Sequence, residues 1–254
     1  MSTTQHYTGP DGTQLAYLDE GEGPVVLLLH ALTANAQANW VETGVVSALV
    51  GAGFRTLALD ARGHGHSDAP VGDEAYHPDV LAADVTALVE QLAIQPAAIV
   101  GYSYGARTAA QLAAAGDVVP RALVLGGMAM SSLLPIPSGP ETDAILAAMA
   151  AQAGQQADGE QADDLGGMRD RMAGWNTRPA AVASIYGELR YAGPIDLGAI
   201  GVPTLLLHSP AEPDDVVAHI PGARTVIVSG DHITAPLDPA FTEAILQFLK
   251  EAAS

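Results

Sequence analysis

Ala97-Ala98-Ile99-Val100-Gly101-Tyr102-Ser103-Tyr104-Gly105-Ala106-Arg107 is the stretch from which the rest of this chain is read. Its first four residues form a short apolar run, the pattern of a strand buried on both faces. An alanine-rich segment with helical character follows over residues 105–115. Between them lies G-x-S-x-G. A serine on a very sharp strand-to-helix turn projects its hydroxyl outward, and glycines on either side lack the Cβ atoms that would clash with neighbouring backbone. The N-terminal amides of the following helix point at the same place, where they favour negative charge. A serine that merely caps the helix is the plainer alternative, and the partners found downstream argue against it.

The same rhythm continues on both sides. Residues 25–29 (VVLLL), 56–59 (TLAL), 122–125 (ALVL) and 203–207 (PTLLL) are further short apolar runs. The segments between them have helical spacing. Val80, Leu81, Val85, Leu88, Val89 and Leu92 share one stripe, as do Phe241, Ile245, Phe248 and Leu249 in the last segment, about 239–252. Alternating strand and helix predicts a mostly parallel sheet with right-handed crossovers and helices on both faces. QLAYL at 14–18 alternates after a Gly-Pro-Asp-Gly turn and reads as part of an antiparallel N-terminal hairpin. From 131 to 195 the rhythm breaks. The segment is small and acidic, with a helix expected from Pro140-Glu141 to Gly154 and another around Ala180–Leu189. An insertion of this kind is expected to be a lid, dividing the chain into a core of residues 1–130 and 196–254 and a lid of 131–195.

Composition narrows the function. The chain has 254 residues, 48% of them hydrophobic, which is enough for a sizeable core. Ten basic residues against 29 acidic ones give a net charge of −19, so nucleic acid and anionic membrane are excluded as expected partners. Without cysteine, thiol nucleophiles and cysteine metal sites are ruled out. The opening residues MSTTQHYTGPDG have no signal-peptide pattern, and no apolar run is long enough to span a bilayer, so a cytoplasmic location is expected.

A nucleophilic serine needs a base. His232, in SGDH at 229–232, follows a short apolar run (Val226-Ile227-Val228) and precedes the last helix. A loop at that end of a strand brings its histidine over the sheet edge where α/β folds bind ligands. The base in turn needs a carboxylate to hold its tautomer. Glu212, Asp214 and Asp215 all follow the run at 203–207, and the spacing alone leaves all three open. His64, His66 and Asp68 superficially suggest a metal site, but a glycine-rich turn is the simpler reading, and no metal is expected.

With these pieces in place the chain, over about residues 12–252, resembles the α/β-hydrolase superfamily, in its short-lid branch of non-haem haloperoxidase-like esterases and enol-lactonases. The matching segments are LLLHA at 27–31, LDARGHGHSD at 59–68, GYSYG at 101–105, PTLLLHSPAEP at 203–213 and SGDH at 229–232. The resemblance implies an α/β-hydrolase fold with an eight-stranded-type sheet and a short helical lid. It implies Ser103 as nucleophile, Glu212 as acid and His232 as base, although the family acid is usually Asp. It also implies an oxyanion hole from the backbone of Leu32 and Tyr104, although the loop reads His30-Ala31 where the family usually has His-Gly. Thr33, Trp40, Met128 and Trp175 are weaker candidates for the substrate cavity. Five of the six methionines fall in or beside the lid (Met128, Met130, Met149, Met168 and Met172), as a pliable apolar pocket or ordinary lid packing would place them.

The expected function is that of a serine hydrolase cleaving a small, mainly apolar carboxylic ester, lactone or thioester through an acyl-enzyme, with no cofactor. The partner is a small-molecule substrate, and a homodimer is compatible with the sequence. Carbon–carbon hydrolysis or lyase chemistry would use the same residues, and a hydrolase-fold receptor with little turnover is the alternative from another class. Dehalogenases and epoxide hydrolases are disfavoured, because proteins of this fold that do that chemistry carry Asp where Ser103 stands.

Overall fold

Among the described residues, eight strands form one sheet in the order β1-β2-β4-β3-β5-β6-β7-β8. The computed structural model describes residues 3–137, 139–140, 174 and 176–252. The strands are β1 (Thr3–Thr8), β2 (Gln14–Glu20), β3 (Val25–Leu29), β4 (Arg55–Asp60), β5 (Ala98–Tyr102), β6 (Ala122–Gly126), β7 (Thr204–His208) and β8 (Arg224–Ile227). β2 runs antiparallel to both β1 and β4, and every other pairing is parallel. The expected hairpin and mostly parallel sheet are therefore both present.

The apolar runs are continuous because both faces of each central strand are covered. Successive side chains alternate between two cores. Leu27, Leu29, Ile99, Leu123 and Leu125 face one core, which α2 (Pro78–Gln91) and α3 (Tyr104–Ala115) close through Val85, Leu88, Ala109 and Leu112. Val26, Leu28, Val100, Val124 and Leu207 face the other, closed by Val46 and Leu49 of α1 (Val45–Gly51) and by Phe241, Ile245 and Phe248 of the C-terminal helix. That helix, Pro239–Ala252, is α6; between it and α3 lie α4 (Met130–Leu133) and α5 (Pro179–Glu188). The alanines of α3 let it lie close against the sheet, directly behind Ser103.

Two expectations need comment. Residues 226–228 read as an apolar strand, but all four residues of β8 are exposed, because it is the outermost strand of the sheet; only Val228 beyond it is buried. Beyond Pro140 itself, the helix expected from Pro140 to Gly154 lies outside the described residues, as do Met149, Met168, Met172 and Trp175. Among the described residues no helix is long and apolar enough to cross a membrane.

One buried ion cluster ties the strand ends to the helices. Arg62, just past β4, is fully buried and donates to both carboxylate oxygens of Asp84 on α2, at 2.7 and 2.8 Å. It also donates to Asp11 in the hairpin turn and to the Ala75 carbonyl, both at 2.8 Å. Because removing one partner leaves the other charge buried alone, Arg62→Met is expected to cost about 3–5 kcal/mol of stability. Urea denaturation of the two proteins measures this, and a loss below about 1 kcal/mol would show that the cluster does not hold these elements together.

Candidate active site

The serine comes first. Ser103 sits at φ 53°, ψ −114°, a conformation that side chains rarely adopt. Its N–H donates to the Gly126 carbonyl at 2.7 Å, and its own carbonyl accepts the first bond of α3 from the Arg107 N–H at 3.1 Å. The flanking glycines are required by close backbone approach. A Cβ on Gly101 would lie 2.4 Å from the Gly105 carbonyl oxygen, and one on Gly105 would lie 2.1 Å from the Leu29 carbonyl oxygen. Strand, turn and helix are therefore held against one another with Ser103 at the apex.

His232 meets the serine across 129 residues of sequence: Nε2 is 2.9 Å from Ser103 Oγ. On the other side of the ring Nδ1 is 2.5 Å from Glu212 Oε1. The second carboxylate oxygen of Glu212 accepts the Ser209 N–H at 2.7 Å, so one side chain both closes its own turn and orients the histidine. Burial would raise the Glu212 pKa, but the bonds from His232 and Ser209 outweigh it and hold the carboxyl below its ordinary value. The three carboxylates left open by the spacing are thus separated. Asp215 Oδ1 accepts the Met130 N–H at 2.9 Å, and Asp214 lies 3.6 Å from His208, so among the three it is Glu212 that reaches His232.

The expected oxyanion residues converge from two loops. No acceptor is found among the described residues for the Tyr104 N–H, at the first position of α3, or for the Leu32 N–H, in the loop after β3. Their side chains share a small apolar cluster with Tyr76, Leu81 and with Ala181, Ile185 and Leu189 in and after α5. Ala31, where glycine is usual, needs no left-handed backbone here. Its N–H is held by Asn39 Oδ1 at 2.9 Å and its carbonyl by His30 Nδ1 at 2.8 Å. The His30 tautomer follows from its surroundings, since Nε2 accepts the Ala61 N–H at 3.0 Å. Burial pushes the His30 pKa down to about 4, so the ring is neutral near pH 7.

Sequence reasoning took the 60–68 segment as a structural turn and missed what it supports. His64 places Nε2 2.6 Å from the Leu32 carbonyl and Nδ1 3.0 Å from the Arg62 carbonyl. Burial, with His30 beside it, pushes the His64 pKa down to about 4, so near pH 7 the ring has one N–H for two carbonyls. The shorter contact assigns that proton to Leu32. On its outer side the same segment receives the start of α5. The Arg178 N–H donates to the Gly63 carbonyl at 2.9 Å, the Arg178 guanidinium to the Ser67 carbonyl at 2.9 Å, and Asn176 Nδ2 to the Gly65 carbonyl at 2.5 Å. Thr177 Oγ1 donates to the Ala34 carbonyl at 3.1 Å, in the loop after β3 that carries Leu32.

The weaker cavity candidates fare differently. Thr33 is half-buried in the oxyanion loop beside Leu32. Trp40 is fully buried in the core with α1, and Met128 is buried with Leu133 in the other core, so both are placed as packing residues rather than on an open wall. Trp175 lies outside the described residues.

Comparison with known proteins fits this geometry. The alpha/beta hydrolase fold family matches residues 24–185, and the chain belongs to that family. It is similar to a non-heme chloroperoxidase, CPO-A1 of Kitasatospora aureofaciens, at 38% identity over 98 residues, 39% of this chain and 34% of that protein. Epoxide hydrolase A of Mycobacterium tuberculosis is 33% identical over 135 residues, 48% of this chain and 41% of that protein. The chain thus spans well under half the length of these curated relatives. The enol-lactonase from Burkholderia xenovorans LB400 superposes with a TM-score of 0.70 at 25% identity, covering 97% of this chain and all of that one (100%).

The His64 contact is open to test. His64→Leu removes the donor on the Leu32 carbonyl and is expected to lower turnover of an activated ester by about 10- to 100-fold, the scale of a small misplacement at a reacting centre. The far-ultraviolet circular dichroism should be unchanged. Full turnover in that variant would show that the Leu32 segment holds its shape without His64.

Proposed function

We propose that this α/β-hydrolase cleaves a small, mainly apolar carboxylic ester, lactone or thioester through an acyl-enzyme on Ser103. The observation that carries the reading is the unbroken hydrogen-bonded line from Glu212 through His232 to Ser103, at 2.5 and 2.9 Å. His232 Nε2 takes the hydroxyl proton as Ser103 Oγ attacks the carbonyl carbon, and Glu212 stabilises the imidazolium that forms. The Tyr104 and Leu32 N–H groups, which have no acceptor among the described residues, receive the oxyanion. Collapse breaks the bond to the leaving oxygen or sulfur, which takes the proton from His232. Water, deprotonated by the same nitrogen, then attacks the acyl carbon and releases the acid with Ser103 restored.

The apolar character of the substrate is supported by the cluster that carries Leu32 and Tyr104, to which Ala181, Ile185 and Leu189 in and after α5 contribute. The likeness to an enol-lactonase over nearly the whole chain favours esters and lactones within this range. Epoxide opening through an alkyl-enzyme ester would require a carboxylate nucleophile, and the nucleophile position here holds the Ser103 hydroxyl. The proposed site is expected to act in the cytoplasm on a small molecule and to need no bound cofactor.

Turnover of p-nitrophenyl butyrate by three variants tests the roles. Ser103→Ala is expected to lose at least about 10³-fold in kcat without loss of folding. Glu212→Gln should lose on the order of 10²–10⁴-fold, because the histidine loses the partner that fixes its tautomer. Asp214→Asn should stay within about twofold of wild type. A large loss in Asp214→Asn with none in Glu212→Gln would reassign the acid, and full turnover in Ser103→Ala would remove the mechanism.

A further inference from the structure

We infer that Tyr102, the residue before the proposed nucleophile, is a positioning residue for His232: its hydroxyl anchors the histidine's main chain and its ring backs the imidazole. The inference rests on the assignment of Ser103 and His232 made above. Tyr102 is the last residue of β5, and its side chain is buried. Its hydroxyl donates to the His232 carbonyl at 2.7 Å, joining the strand that carries Ser103 to a loop 130 residues further on.

That bond differs in kind from the others in the histidine loop. Asp231 accepts from the Ile233 and Thr234 N–H groups and from Thr234 Oγ1, and the Ser229 N–H donates to Asp238 just beyond. These bonds shape the loop but tie it only to itself and to the start of α6. Among the described residues, the Tyr102 hydroxyl is the side chain that ties the His232 main chain to the centre of the sheet. The imidazole needs such a tie, since its side chain is 46% exposed and little packing restrains it.

The ring contact adds to the hydroxyl contact. The Tyr102 and His232 ring centroids are 5.6 Å apart with planes tilted by 34°, and Phe241 of α6 meets Tyr102 in an edge-on contact at 5.7 Å. Room for this pair comes from Gly126 and Gly127 at the end of β6. A Cβ on Gly126 would lie 2.7 Å from the Tyr102 ring; one on Gly127 would lie 2.9 Å from that ring and 3.1 Å from His232. The Gly-Gly pair therefore keeps clear the space in which tyrosine and histidine pack. Burial, with Glu212 and Asp231 nearby, raises the phenol's pKa, so the hydroxyl remains a donor at any pH at which the protein would work.

Tyr102→Phe removes the hydroxyl and keeps the ring that packs against His232 and Phe241, so folding is expected to be retained. With p-nitrophenyl butyrate we expect kcat to fall by about 5- to 20-fold with KM within twofold, the pattern of a loosened base rather than a damaged pocket. Backbone hydrogen exchange across residues 229–236 should accelerate while β5 stays protected. A fluorophosphonate assay on wild type runs in parallel. If wild type is phosphonylated at Ser103 and Tyr102→Phe keeps kcat within twofold, or loses it only with a matching rise in KM, the role of Tyr102 is overturned and the serine reading stands. If wild type is not phosphonylated at Ser103, the serine reading fails and the role of Tyr102 falls with it.

Discussion

The backbone of Ser103 is the constraint around which the site is arranged. Holding a non-glycine residue at φ 53°, ψ −114° costs of order 1–3 kcal/mol, and it persists only where the surroundings over-determine it. Here they do: β6 accepts its N–H, α3 begins on its carbonyl, and the glycines on either side press directly against neighbouring backbone. In return the hydroxyl reaches His232, and the Tyr104 N–H, at the start of α3, has no acceptor among the described residues. Relaxing the turn would swing both groups away together.

The second half of the site is held less by strain than by a junction. The 60–68 segment stands between the loop that carries Leu32 and the start of α5. His64 grips the Leu32 carbonyl from inside, while Asn176 and Arg178 bind carbonyls of the same segment from outside. Arg62 anchors the whole to α2 and the hairpin turn. Glycine at 63 allows this closeness, since a Cβ there would overlap that of Ala181. The start of α5 is therefore built into the support of the loop that carries Leu32.

How much of this the sequence discloses depends on how local each feature is. Strand, sharp turn and helix at 97–115 are coded by neighbouring residues, and the parallel core follows from continuous apolar runs. The order Ser103, Glu212, His232 is legible because loops at the same end of a sheet meet. The choice among Glu212, Asp214 and Asp215 is not legible from spacing, only from the family resemblance that points to Glu212, because it turns on side-chain reach: the glutamate spans from the Ser209 N–H to His232, and the aspartates face His208 and Met130. Tyr102 and His64 stay hidden because each acts on a carbonyl far along the chain, and a carbonyl leaves no mark in sequence. Trp40 is ambiguous in sequence, since a large aromatic near a site suits a core as well as a cavity, and here it is fully buried.

The most direct test is a single turnover of a hindered activated ester, p-nitrophenyl pivalate, with enzyme in excess, acid-quenched at intervals and followed by peptide mass. A pivaloyl adduct on the peptide containing Ser103 should rise with nitrophenol release and decay as pivalate appears. Nitrophenol released with no adduct on that peptide, or with the adduct on another residue, would contradict the acyl-enzyme at Ser103 and the role given to its strained turn.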